Sequence, residues 1–198
     1  LGRVIVVSII AGFGTVQIAA NGVANSLDSM GCIVGQAMNL AMITVIGRCV
    51  GAGDSGQVRH YTKKLLKITY VCTFVVNSII LLCLPWILKC YGLSTETTQL
   101  SYILVMIHNG MAMFLWPASF VLPNMLRACN DVRFTMVLSI FSMFMFRIGF
   151  SYIIGVNMGY GAIGVWIAMV LDWIFRVICF VSRYLSGHWL KTAGLSER

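Results

Sequence analysis

Six apolar runs, each about long enough to cross a lipid bilayer, follow one another along the 198-residue chain. A membrane-spanning helix needs about 20 consecutive apolar residues. The chain is 59% hydrophobic and only 10% charged, which leaves too little polar surface to coat a soluble domain. The runs therefore predict an all-α fold, a polytopic integral membrane bundle of six transmembrane helices. The predicted spans are residues 4–24, 27–49, 66–88, 99–122, 134–156 and 161–183.

Capping residues predict where two of the helices begin. Ser26 is a favourable N-cap for the second span, and Asp28 then lies in the first turn, where the helix dipole favours an anion. Asp54, with Gln57 three residues later, resembles a capping box. This pair predicts a short helix over 55–65, lying at the membrane interface ahead of the third span.

The basic residues in and next to the links between the predicted spans lie almost entirely in alternate links, and the other links hold just one, Lys89. Those around the link after the second span are Arg48, Arg59, Lys63, Lys64 and Lys67; those after the fourth are Arg127 and Arg133; those around the C-terminal end are Arg183, Lys191 and Arg198. Because positive residues mark cytoplasmic loops, these links and the C-terminal end are predicted to be cytoplasmic. Six crossings bring the N-terminal end there too, in agreement with Arg3. The net charge of +8 is thus explained by topology beside the lipid bilayer, and no nucleic-acid partner is expected.

Motifs for catalysis, metal binding or secretion are not found in the sequence. The seven cysteines form no metal-ligand spacing, so neither a metal site nor a bound cofactor is expected. An intramembrane enzyme using His108 and Asp172 is the least supported function. The chain opens without an initiator methionine or a signal-peptide pattern, and we expect it to be a fragment of a longer polypeptide.

Helical spacing gathers polar residues of the second span on one stripe. The stripe contains Asp28, Cys32, Gly35, Asn39 and Met42, with Gln36 beside it and Gly31 one turn before Gly35. Small residues at this spacing commonly allow close helix packing, and a buried asparagine commonly holds helices together. Structural and functional roles therefore both stay open for this stripe.

A second stripe follows the fourth predicted span. It contains Val105, His108, Ala112, Trp116 and Ser119, with Asn109 adjacent, and Pro117 removes a backbone hydrogen bond nearby. Counting from residue 99 at the helical rise puts His108 about 14 Å deep, close to the bilayer midplane. An ionisable residue at that depth is either a solute or proton site or a histidine satisfied by packing.

Three charged residues lie deep in the fifth and sixth spans. The same counting puts Arg147 and Asp172 at about 13 and 16 Å from the outer ends of their spans, with Arg176 one turn beyond Asp172. Asp172 and Arg176 share a helix face at a spacing of four residues. An Arg–Asp–Arg cluster facing the bundle interior is therefore predicted, either pinning two helices together or taking part in transport.

Taken in order, several segments resemble the multidrug and toxic compound extrusion (MATE) family. They are "SLDSMGCIVGQAMNLAMITVIGRCVGAGD", "VRHYTKK", "RACND" and "GVWIAMVLDWIFRVICF", and the resemblance covers nearly the whole chain. It implies a twelve-helix, two-lobe transporter that exports cationic amphiphilic small molecules in exchange for Na⁺ or H⁺. Residues 1–198 would be the C-terminal lobe, which needs the missing N-terminal lobe or a second six-helix chain.

The resemblance also suggests which residues contact the solute. Family members often carry acidic residues in the spans matching the first, second and fourth here. This chain offers other polar residues there: Gln17, Asn21, Gln36, Asn39, His108 and Asn109, with Asp28 expected near the outer end. The coupling carboxylate is therefore expected in the other lobe. The solute-facing surface is expected to be polar but uncharged, lined by Met38, Asn39, Met42, His108 and Trp116, because methionine and aromatic side chains suit variable apolar solutes.

Two other functions stay open at this point. A lipid-linked oligosaccharide flippase would have a similar bundle but a strongly basic cavity, to which only Arg147 and Arg176 could contribute. A non-transporting membrane scaffold or half-pump would also fit. The family resemblance further implies a bacterial inner membrane.

Overall fold

Seven helices make up the described part of the chain. The computed structural model describes residues 2–195, with side chains from Val4 onward, so Arg198 and the side chain of Arg3 lie outside the described residues. The helices are α1 (Gly2–Ala11), α2 (Thr15–Gly51), α3 (Ser55–Cys90), α4 (Thr95–Ala128), α5 (Val132–Asn157), α6 (Gly161–Leu185) and α7 (His188–Thr192). Residues 2–195 contain no strand, and the predicted all-helical membrane bundle is confirmed.

The boundary predicted between the first two spans is wrong. The chain breaks instead at Gly14, whose φ of 102° is accessible mainly to glycine, and α2 then runs unbroken for 37 residues. Ser26 is therefore not an N-cap: it lies inside α2, where its hydroxyl donates to the Gly22 carbonyl at 3.1 Å. The described part of α1 is 10 residues long. Among the described residues, five helices rather than six are long and apolar enough to span.

Helix α3 begins where the capping residues predict but does not stop at residue 65. The Asp54 carboxylate accepts a hydrogen bond from the Gln57 backbone N–H at 2.9 Å, which satisfies a free donor of the first turn. From there one helix continues through the third apolar run to Cys90. The predicted interfacial helix and third span are thus a single helix, because no glycine or proline separates them.

Wide π-helical turns interrupt α4 and α5. In α4 they cover Pro117–Val121, where proline supplies no backbone N–H for the regular pattern. In α5 they cover Met143–Asn157. Such turns re-aim side chains and are frequent at functional sites. Here they carry Phe120 and Arg147, both of which face the cavity described below.

Two apolar clusters hold the bundle together. One lies toward the basic end and includes Met42, Leu122, Phe180 and Trp189. The other lies toward the opposite end and joins Val6 and Ile10 of α1 to residues of four longer helices: Leu27, Leu84, Leu104 and Trp166. Large apolar side chains also cover much of the outer surface, as expected where helices face lipid: Leu40, Leu82, Trp86 and Val137 are examples.

Candidate functional site

A polar cavity of about 360 Å³ opens between four helices. Its lining comes from α2 (Asn25, Asp28, Ser29, Cys32, Ile33 and Gln36), from α4 (His108, Trp116 and Phe120), from α5 (Arg147) and from α6 (Met169 and Trp173). A cavity of this size can hold a small organic molecule. It combines apolar and aromatic walls with one carboxylate, one guanidinium and one imidazole.

Asp28 and His108 form an ion-pair contact at the wall of this cavity. The Asp28 Oδ1 atom lies 3.1 Å from the His108 Nδ1 atom, and the Cys32 thiol donates to the same oxygen at 3.4 Å. His108 is 1% exposed, whereas Asp28 retains 21% of its side-chain surface on the cavity side. The prediction that Asp28 occupies a first helical turn is wrong, because α2 begins at Thr15. Asp28 instead places a charge inside the bundle.

Two indole rings enclose the His108 imidazole. The ring centroid of Trp166 lies 4.5 Å away and that of Trp173 lies 4.4 Å away. The Nε2 atom of His108 is buried and has no hydrogen-bond partner among the described residues. The imidazole thus lies between one carboxylate and two indole rings, next to the cavity lining.

Buried amides connect the helices behind the cavity. The Asn109 side-chain amide donates to the Asn77 Oδ1 atom at 2.9 Å, and the Asn77 amide donates to the Gly31 carbonyl at 3.3 Å. Both asparagines are fully buried. This places Asn109 on the side of α4 that packs against α3, away from the cavity lining. Its contacts are those of a residue that holds helices together.

Gly35 lets Trp116 lie directly against α2. A Cβ added at Gly35 would lie 2.0 Å from the Trp116 ring atom Cζ3, so the indole would have to move. We expect Gly35→Ala to lower the free energy of unfolding by about 1–3 kcal/mol and to change solute binding, because the displaced ring lines the cavity. Denaturant unfolding of the purified protein and dye binding measure the two effects. Gly47→Ala is the matched control, since a Cβ there meets nothing within 4 Å, and an equal loss in both variants would contradict the packing argument.

Asp172 and Arg176 form a buried pair within α6. The Arg176 Nε atom donates to Asp172 Oδ1 at 3.0 Å, and the Ser142 hydroxyl of α5 donates to the same carboxylate oxygen. The Arg176 Nη2 atom also donates to the Ser139 carbonyl at 3.2 Å. Arg147 lines the cavity, and its charge acts on both Asp28 and Asp172. The role of the cluster in transport stays a prediction.

Five other residues predicted to contact the solute lie elsewhere. Gln17 accepts from the Ala162 N–H at 2.9 Å, and Asn21 accepts from the Trp166 indole N–H at 3.1 Å. Asn39 accepts from the Asn124 amide at 2.9 Å, and Met42 is fully buried in the core of the basic end. Met38 is half-buried and does not line the cavity. Of the residues predicted for the solute surface, only Gln36, His108 and Trp116 line it.

Two parts of the site were not predicted from the sequence. Trp173, the residue after Asp172, forms the aromatic wall of the cavity together with Trp116 and Phe120. Its place beside Asp172 is the signal that the sequence offers for it. Asn25, about one turn before Asp28, and Ser29, the residue after it, also line the cavity. Their closeness to Asp28 is visible in the sequence, but Asn25 precedes residue 27, where the second span is predicted to begin. Among the described residues, no three His, Cys, Asp or Glu side chains lie close enough together to hold a metal ion.

Comparisons with known proteins agree with this architecture. Over 184 residues, 93% of its length, the chain is 22% identical to the "Probable multidrug resistance protein NorM" of Thermotoga maritima, and it covers 39% of that protein. Over 71 residues, 36% of its length, it is 30% identical to the "Uncharacterized transporter YisQ" of Bacillus subtilis, covering 16% of that protein. The chain thus spans less than half the length of these curated relatives, and no solved structure matches it.

A family description also matches the chain. The MatE family model matches residues 1–153, which include α1 to α4 and most of α5. The matched region contains Asp28, His108 and Arg147, and therefore three of the four helices that line the cavity. The chain belongs to the MatE family.

Proposed function

We propose that this chain is one lobe of a multidrug antiporter that exports amphiphilic cationic small molecules. The observation that carries the proposal is the cavity in which the Asp28–His108 pair meets aromatic walls. The aromatic faces suit flat cationic solutes, and the carboxylate supplies the opposite charge. The multidrug name of the NorM relative supports this substrate class.

The coupling ion we propose is a proton, with Na⁺ as the alternative. A carboxylate 3.1 Å from an imidazole can take up a proton on one side of the membrane and release it on the other as a cationic solute enters or leaves. In this proposal the coupling carboxylate is Asp28 of this lobe, and not a residue of the other lobe as the sequence predicts. The lining holds one arginine opposite one aspartate, whereas a lipid-linked oligosaccharide flippase calls for a strongly basic cavity.

Transport requires a second lobe in this proposal. Alternating access moves one repeat against another around a central site, and the chain spans 39% of the NorM relative. The partner is either the N-terminal lobe of a longer polypeptide or a second six-helix chain, set in a bacterial inner membrane. A non-transporting scaffold is the competing function.

Reconstitution tests the proposal. The chain is placed in liposomes with a fluorescent cationic dye, with and without its partner lobe, under an imposed H⁺ or Na⁺ gradient, and its mass is measured in detergent. We expect gradient-driven dye movement only when both lobes are present. Dye movement by a demonstrated monomer would overturn the two-lobe mechanism, and no movement by the complete assembly would favour the scaffold.

The proposed orientation places the basic links and the C-terminal end in the cytoplasm. We therefore expect a membrane-impermeant maleimide added outside to label Thr95→Cys, at the exposed start of α4, and to leave Arg133→Cys unlabelled in intact cells. Both variants are made with Cys90→Ser, which removes the exposed native cysteine. Permeabilised cells, in which both positions should react, are the control. Labelling of Arg133→Cys alone in intact cells would reverse the orientation.

A further inference from the structure

A groove lies between α3 and α4 at the end of the bundle away from the basic links. It consists of two adjoining cavities of about 430 and 330 Å³, which have four lining residues in common: Pro85, Leu88, Thr98 and Gln99. None of these residues lines the central cavity, so the proposed transport function makes no use of them. The groove is therefore a candidate site for a ligand other than the transported solute.

One part of the groove is apolar. Besides the shared residues, Tyr102 and Ile103 of α4 line this part, and both are partly exposed on the outer surface of the bundle. Leu88, which is 2% exposed, forms the floor. Pro85 contributes only a short ring from inside α3, which leaves room between the two helices. Between Thr95 and Ile103 helix α4 rises about 12 Å, so the groove can hold a stretch of hydrocarbon chain.

The other part of the groove carries a cation. Lys89, in the last turn of α3, lines it together with Gly92 and Thr95, and the lysine side chain is exposed. Glu96, in the first turn of α4, is exposed and does not line the groove. The other carboxylates among the described residues lie in contacts elsewhere: Asp28, Asp54, Asp131 and Asp172. Lys89 therefore gives this part of the groove a positive charge.

Aromatic side chains indicate the depth of the groove in the bilayer. Trp86, Tyr91 and Tyr102 are 69%, 48% and 42% exposed, and such residues concentrate where the bilayer meets water. Gly92 makes the turn between α3 and α4 at a φ of 61°, where the chain reverses its direction. Lys89 thus lies at the depth of the lipid headgroups, and Ile103 lies deeper, beside the acyl chains.

We propose that this groove binds an anionic phospholipid, with the phosphate group at Lys89 and one acyl chain along Tyr102 and Ile103. Charge and shape both select this occupant. A soluble anion would use Lys89 but leave the apolar part empty. A zwitterionic lipid would fill the apolar part, but its headgroup cation would lie close to the lysine.

Native mass spectrometry of the full chain in detergent tests the proposal, with phosphatidylglycerol and phosphatidylcholine offered in competition. A basic residue near an anionic lipid is worth about a fivefold change in affinity, so Lys89→Gln should weaken phosphatidylglycerol binding about fivefold. Lys67→Gln is the matched control, because it removes the same charge from an exposed position of α3 outside the groove.

A second variant tests the apolar part while Lys89 stays in place. Thr98→Phe fills space that both cavities share. Each buried methylene is worth about a fourfold change in affinity, so excluding two of them should weaken phosphatidylglycerol binding about fifteenfold. Met106→Phe is the matched control, since Met106 is an exposed residue of α4 outside the groove.

The outcomes separate the possible ligands. Loss of phosphatidylglycerol from both groove variants, with retention in both controls, supports the proposal. Equal loss in Lys67→Gln would show a diffuse charge effect and overturn it, as would equal binding of phosphatidylcholine by the unmodified protein. Unchanged binding by Thr98→Phe, or displacement of the lipid by millimolar inorganic phosphate, would overturn the placement of the acyl chain. The assay involves no transport, so its result is independent of the proposed antiport.

Discussion

Asp172→Asn is expected to lower the free energy of unfolding by roughly 3–5 kcal/mol, because breaking a buried ion pair leaves the other charge uncompensated. Asp172 is fully buried, and its carboxylate accepts hydrogen bonds from Arg176 and from Ser142 on the neighbouring helix. An asparagine side chain keeps the shape but cannot neutralise the guanidinium. Denaturant unfolding in mixed micelles measures the loss, and the expression level should fall with it.

A double variant separates lost charge pairing from lost packing. Asp172→Asn combined with Arg176→Gln removes both charges, so we expect it to be more stable than Asp172→Asn alone. Additive destabilisation by the two substitutions would show that packing dominates. An Asp172→Asn protein that unfolds like the unmodified one, yet loses ion-coupled transport, would contradict the structural role and make Asp172 a transport residue.

Asp28→Asn is expected to reduce gradient-driven dye efflux by about 5–150-fold, the range that corresponds to a typical coupling free energy between two ligands. The physical reason is that in the proposed mechanism this carboxylate, 3.1 Å from the His108 imidazole, supplies the negative charge of the cavity. The effect on the free energy of unfolding should stay within about 1 kcal/mol, since Asp28 is partly exposed to the cavity. Efflux from liposomes and denaturant unfolding are measured on the same preparation of the complete transporter.

The substitution His108→Gln tests the role of the imidazole in the Asp28–His108 pair. It should flatten the pH dependence of efflux between about pH 5 and 8, the range in which histidine titrates. His60→Gln is the matched control, because His60 is an exposed histidine of α3 outside the cavity. An unchanged pH profile in His108→Gln would reduce His108 to a packing residue between the two tryptophans. Unchanged efflux in Asp28→Asn would remove the carboxylate from the coupling mechanism.

Some helix boundaries could be predicted from short stretches of sequence, because the interactions that set them join residues close together in the chain. The Asp54–Gln57 cap starts α3 as expected, since an N-cap needs only residues three positions apart. The prediction for Ser26 fails because the same residue type is tolerated inside a helix, where its hydroxyl donates to the preceding turn. Nothing in the residues around Ser26 distinguishes these two states. The break falls at Gly14, where the positive φ of 102° favours glycine.

The candidate site was only partly predictable for a related reason. The stripe containing His108 and Trp116 follows helical periodicity, and the structure buries this face of α4. The same periodicity groups Asn39 and Met42 with Asp28, yet only Asp28 reaches the cavity. A stripe of 15 residues spans about 22 Å along the helix, so its members meet different neighbours at different depths.

The sequence by itself determined that this protein is a membrane-embedded helical bundle, because long apolar runs leave the backbone no other way to satisfy its hydrogen bonds in lipid. It also determined that Asp172 and Arg176 share one helix face and that basic residues gather in particular links. Both features depend only on residues close together in the chain. Only the tertiary structure decided that Asp28 meets His108 and that two indoles enclose the imidazole. These contacts join residues far apart in the chain, and their geometry depends on how whole helices pack against one another.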